Sequence, residues 1–109
     1  MDPQDKKIAL RMIPYGLYVL TSRAPDGRVA AATVNWVTQT AFEPPLLVVG
    51  VKADSGAHAI IKETGAFALN FLGKDQQSVA YAFFKSVEPE GQVIGGEPFR
   101  AGSTGAPVL

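Results

Sequence analysis

The tetrapeptide Ala24-Pro25-Asp26-Gly27 constrains this chain more than any other feature. It separates two runs of strand formers, residues 17–22 (Leu-Tyr-Val-Leu-Thr-Ser) and a run from Arg28 to about Trp36. Pro25 presets φ for a turn, and Gly27 accepts the positive φ that closes it. The two runs are therefore expected to pair as an antiparallel hairpin. On the second strand, alternation puts Val29, Ala31, Thr33 and Asn35 on one face and Ala30, Ala32, Val34 and Trp36 on the other. The three consecutive alanines, 30–32, leave room for a backbone or a flat ligand to approach.

The flanking segments read from the same rules. Asp2 as cap, Pro3 in the first turn and Asp5 at the positive end of the dipole predict an opening helix, stopped by Pro14 and Gly16. Residues 37–42 fit a strand or an extended loop, and Glu43-Pro44-Pro45 ends them. Residues 46–51 (Leu-Leu-Val-Val-Gly-Val) are apolar on both faces and predict a central, fully covered strand. Asp54 or Ser55 caps a short helix over 58–63, closed by Gly65. Residues 66–72 predict a strand with Asn70 opposite Phe67, Leu69 and Phe71. A third helix is expected over about 76–84, capped by Asp75, with Val79, Ala80, Phe83 and Phe84 as its apolar stripe. Beyond Lys85 the pattern is mostly turn and loop, with a strand starting near Pro107.

Composition removes several function classes. The 109 residues fit one domain, 1–109, with a single core. The absence of Cys excludes disulfides, thiolate metal sites and Cys nucleophiles, and one His is too few for a His-rich metal centre. Ten basic and ten acidic side chains cancel, so nothing pulls the chain toward nucleic acid or anionic lipid. No apolar run approaches the ~20 residues that span a bilayer. No signal-type leader opens the chain. The expectation is a cytoplasmic globular protein with neither nucleic-acid nor membrane partner.

The standard dinucleotide, P-loop and nucleophile-elbow motifs are absent. Ser55 and His58 are three apart, but a hydrolase also needs an orienting acid and an oxyanion hole. No catalytic residue and no metal ligand is assigned. What stands out is a polar cluster, Thr33, Asn35, Thr38, Gln39 and Thr40, just before the prolines. It offers amides and hydroxyls to a planar heterocycle, or forms an ordinary polar sheet face. Trp36 beside it stacks on a ring or fills the core. Lys52, Asp54, Ser55 and His58 surround a helix start, which binds phosphate or is a plain cap. Lys85 meets a ligand or complements a helix C-terminus. Asn70 needs hydrogen-bond partners, from a ligand or a loop backbone.

Taken in order, the segments at 13–22, 32–39, 43–46, 55–58 and 67–72 resemble the flavin reductase-like, FMN-binding split-barrel family. The opening hairpin is similar to flavoredoxins and to the flavin domain of rubredoxin-linked electron carriers. The resemblance implies a mainly β fold with flanking helices, a Greek-key split β-barrel. Members usually continue several tens of residues further, into strands that complete the barrel, so a chain lacking its C-terminal strands is expected.

The resemblance also implies a homodimer with one FMN per subunit. Thr33, Val34, Asn35, Trp36, Val37, Thr38 and Gln39 would line the isoalloxazine. Lys52, Asp54, Ser55 and His58 would meet the phosphate or ribityl chain, with Asn70 and Lys85 nearby. The implied activity is an NAD(P)H-dependent flavin reductase, with NAD(P)H as co-substrate and a flavin or redox protein as acceptor. Hydride transfer to a flavin requires no protein acid or base, which suits a chain without a catalytic constellation. Two other readings fit the same residues: an electron-transfer module reduced by a protein partner, and a flavin-free scaffold on the same fold.

Overall fold

The computed structural model describes residues 1–109. The fold is mainly β with a few helices. Helix α1 (Pro3–Arg11) is capped at Asp2, whose carboxylate accepts from the N–H groups of Gln4 and Asp5. The helix buries none of its residues. Strands β1 (Tyr18–Arg23) and β2 (Val29–Val34) form the hairpin, in antiparallel register from Tyr18 opposite Val34 to Arg23 opposite Val29. Gly27 closes its turn at φ +97°.

The second strand stops at Val34, two residues short of the expected end. The chain continues through Asn35 and Trp36 into β3 (Val37–Ala41), which pairs with β4 (Leu46–Val49). This corrects one expectation. β4 is not a central covered strand: it pairs with β3 alone, and Leu46, Leu47 and Val48 are exposed. Hydropathy on both faces states that a strand wants cover, and within these residues the ribbon finds none. A two-stranded ribbon is marginal by itself in water.

Helix α2 (Gly56–Thr64) starts at Ser55, whose hydroxyl accepts from the His58 N–H at 3.1 Å, and ends on Gly65 at φ +70°. Strand β5 (Ala68–Phe71) pairs with the free edge of β1, so the main sheet runs β2-β1-β5. Helix α3 (Gln77–Ala82) is shorter than expected, and its cap position is Gln76, not Asp75. The Gln76 side chain accepts from Gly73 N–H at 2.8 Å, which leaves the helix without a side-chain cap. The remaining strands are two residues each: β6 (Val93–Ile94) with β7 (Glu97–Pro98), and β8 (Arg100–Ala101) with β9 (Pro107–Val108). The strands form four separate sheets and close no barrel.

The core is small. Val19 of β1, Val79 and Phe83 of the α3 region, and Ile94 of β6 pack together, with Ala31, Leu72 and Phe99 against them. Residues 107–109 cover β1 and β5. The Thr21 hydroxyl donates to the Pro107 carbonyl. The Asn70 amide donates to the Val19 carbonyl at 2.9 Å and accepts from Leu109 N–H at 3.0 Å.

Candidate functional site

A cleft of about 1190 Å³ opens along one side of β2. Its floor is the alanine run 30–32 with Thr33 and Val34. Asn35, Trp36 and residues 50–52 form one rim, the start of α2 another, and residues 83–89 after α3 a third. Small side chains on β2 make the hollow, as expected from three consecutive alanines. The volume lies above the roughly 300–1,000 Å³ of a usual small-molecule site. No group of three or more His, Cys, Asp and Glu is placed to hold a metal ion.

Eight of the residues singled out in the sequence converge here: Thr33, Val34, Asn35, Trp36, Lys52, Asp54, Ser55 and Lys85. Five do not line the cleft. Val37, Thr38 and Gln39 belong to the β3–β4 ribbon, because the strand break at 35–36 carries them away from β2. His58 lies on α2, contributing its backbone N–H to the Ser55 cap. Asn70 lines a separate, smaller hollow of about 290 Å³ and is occupied with the backbone of Val19 and Leu109.

The polar groups in the cleft differ in how free they are. The Ser55 hydroxyl donates to the Lys52 carbonyl at 2.7 Å while it accepts from His58, so its proton is committed to the loop. Helix starts leave backbone N–H groups without intrahelical acceptors. Open space surrounds Gly56, where a side chain would touch nothing within 4 Å. The Thr33 hydroxyl donates to the Ala80 carbonyl at 2.6 Å, and its backbone N–H donates to the Phe83 carbonyl at 3.0 Å. Asn35 is half-buried on the wall. Lys52 and Lys85 are exposed, with the Lys52 ammonium 3.8 Å from Asp54.

Two further lining residues carried only faint sequence signals. Phe84 was expected to share the apolar stripe of the third helix. Instead Phe83 is buried and Phe84 is exposed at the cleft, since α3 ends before both. Arg28, at the far end, is held by Asp26 at 2.7 Å and Glu63 at 3.0 Å. These contacts raise the Arg28 pKa, the Asp26 hydrogen bond contributing most. The Arg28 backbone N–H and then its guanidinium hold the Asp26 carboxyl below its ordinary 3.8.

The fold is small and β-rich, and its cleft lies between a strand of small residues and a helix start. Residues 10–109 match the family model described as "Flavin reductase like domain", and the chain belongs to that family. It is 32% identical over 97 residues to the flavin reductase (NADH) of Kitasatospora aureofaciens, covering 89% of this chain and 50% of that one. It superposes on the Streptomyces globisporus NADH:FAD oxidoreductase SgcE6 with TM-score 0.75 and 27% identity, covering 98% and 65% of the two chains. It superposes on BorF, the flavin reductase component of a bacterial two-component tryptophan halogenase, with TM-score 0.73 and 27% identity, covering 97% and 66%. The chain spans half the length of the Kitasatospora relative and only 34% of one from Rhizobium meliloti. No helix is long and apolar enough to cross a membrane.

Proposed function

We propose that residues 1–109 form one flavin reductase-like domain that binds FMN in the β2 cleft and lets NAD(P)H reduce it. The observation that carries this reading is the convergence of residues 33–36, Lys52, Asp54, Ser55 and Lys85, distant in sequence, on one cleft in a chain of this family.

The residues present fit a flavin. The alanine floor admits a flat ring, and the exposed rings of Trp36 and Phe84 supply aromatic surface beside it. Asn35 offers both a donor and an acceptor to the ring edge. The open first turn of α2, beside Lys52, suits a phosphate. Ser55 serves this site by capping the helix and holding the Lys52 carbonyl, not by donating its own proton to the ligand. Lys85 offsets phosphate charge from the other rim. When bound, a flavin would supply the hydride-accepting and electron-transfer chemistry, which belongs to the cofactor. The chain's part is to position the two rings and exclude water. The cleft has volume beyond a usual single-ligand site, which accommodates a nicotinamide next to the flavin.

FMN is preferred to FAD on the family resemblance, and a free flavin or an oxygenase partner is the proposed acceptor. The exposed β3–β4 ribbon, with Phe42, Leu46, Leu47 and Val48 unburied, supports a homodimer that covers it and completes a split barrel.

A visible spectrum of the purified protein with added FMN tests the reading. Flavin bands that survive desalting and bleach on addition of NADH or NADPH are expected. Bands that survive but stay oxidised would favour an electron-transfer module reduced by a protein partner. A colourless protein after desalting would overturn flavin binding.

A further inference from the structure

Thr33 is among the residues that line the cleft, and the simplest expectation is that its hydroxyl orients a ligand ring. The hydrogen bonds point elsewhere. The hydroxyl has one proton, and it is donated to the Ala80 carbonyl at 2.6 Å. The backbone N–H is donated to the Phe83 carbonyl at 3.0 Å. Ala80 lies in the last turn of α3, where its carbonyl also accepts from Phe83 N–H at 3.3 Å, so the Thr33 hydroxyl is its second donor; Phe83 immediately follows the helix. Between them, one residue of β2 clamps the last turn of α3.

The clamp is stiff at both ends. Thr33 sits in a strand paired with Val19 of the central strand β1. Phe83 is 1% exposed and packs with Val19, Val79 and Ile94. The next three residues, Phe84, Lys85 and Ser86, have no place in the core and line the cleft. Their position is set by the α3 end from which they emerge. A β-branched residue with a hydroxyl meets both needs at position 33, strand geometry and a donor.

We propose that Thr33 is a positioning residue: it holds the Phe84–Ser86 wall of the cleft through the C-terminal turn of α3, and it does not meet the flavin through its hydroxyl. This rests on the flavin reading above for the ligand, and on the two hydrogen bonds alone for the clamp. Thr33→Val keeps the shape and the strand preference and deletes the donor. Thr33→Ser keeps the donor.

The test uses FMN titrations of the wild type, T33V, T33S, F84A and T33V/F84A, with amide hydrogen exchange of flavin-free wild type and T33V. T33V is expected to weaken FMN about tenfold, the scale of one lost hydrogen bond, with T33S within about threefold of wild type. In the F84A background the T33V effect should shrink below about threefold, because the two residues act through one wall. Without flavin, the Phe83 and Phe84 amides should exchange faster in T33V while those of β1 are unchanged. An undiminished T33V effect in the F84A background would overturn the proposal in favour of direct contact. So would unchanged exchange at Phe83 and Phe84. A T33V that exchanges faster throughout, β1 included, would overturn it in favour of a general stability role. If wild type binds no FMN, the flavin reading and the cleft role fall together, and exchange still shows whether the clamp exists.

Discussion

The Gly50 N–H donates to the Trp36 carbonyl at 2.8 Å, and Gly50 has no side chain where the Trp36 side chain lies against it. A β-carbon at position 50 would stand 3.3 Å from Trp36 Cβ and 3.5 Å from Cε3. The pair joins the exit of β4 to the entry of β3 at the cleft rim. Gly50→Val should therefore displace the indole. Because Trp36 is 70% exposed it can give way, so stability should change by less than about 1 kcal/mol. Indole emission should shift, and FMN should bind up to about tenfold more weakly. A shifted emission with unchanged affinity would remove Trp36 from the site.

Ser55 separates capping from ligand contact. Ser55→Ala should cost about 1 kcal/mol through loss of the bond to His58 N–H. Ser55→Asp keeps an N-cap acceptor and should hold stability, but it puts a carboxylate where a phosphate is proposed. FMN affinity should then fall about tenfold or more. Thermal melts and FMN titrations of the two variants check the pair of outcomes.

Gly95 is packed beneath the core aromatic. Its φ is +56°, and a β-carbon there would stand 2.8 Å from Phe83 Cζ. Phe83 is buried and cannot retreat. Gly95→Ala should destabilise by about 2–4 kcal/mol, combining left-handed backbone strain with overpacking. Urea denaturation measures it, and a loss under 1 kcal/mol would contradict the packing described.

The hairpin turn should carry an acid-sensitive contribution. Asp26 has its pKa lowered in the folded chain, chiefly by the Arg28 N–H and then by the guanidinium. Its stabilisation is present above the ordinary aspartate value and is lost as pH falls through the folded value. Asp26→Asn should lower the melting temperature slightly at pH 7, and the gap should narrow as the pH falls below the ordinary aspartate value. A gap independent of pH would show that the charge is not the cause.

Local chemistry made much of this fold legible. Asp2 and Ser55 are caps, Gly27 and Gly65 take positive φ, and the β1–β2 hairpin follows from its turn. What failed depends on distant partners. The apolar run at 46–49 requires cover, and sequence pattern does not say that its neighbour is only β3. The short strands after Lys85 exist through pairing, not propensity. Asp75 lost the cap position to Gln76 because α3 starts later than its apolar stripe suggested.

The site was legible in part for the same reason. Residues 33–36, Lys52, Asp54, Ser55 and Lys85 meet at the cleft, as the polar cluster, the helix start and the family resemblance together implied. The strand break after Val34 took Val37, Thr38 and Gln39 elsewhere, and nothing in the alternation marks that break. Phe84 was hidden by an adjacent Phe of the same hydropathy, and only the end of α3 decides which of the two is buried.

The closure of the main sheet by residues 107–109 has a kinetic consequence. Thr21 waits for a partner 86 positions away, and Asn70 for one 39 positions away. During synthesis from the N-terminus, the hairpin and α2 can form early, but the Thr21 hydroxyl, which also reaches the Ala68 carbonyl at 3.5 Å, gains its Pro107 acceptor only once that residue has left the ribosome. Buried polar groups are costly when unpaired, so the nascent sheet stays open to exchange until then. Pairing over such separations is slow, and folding commits late.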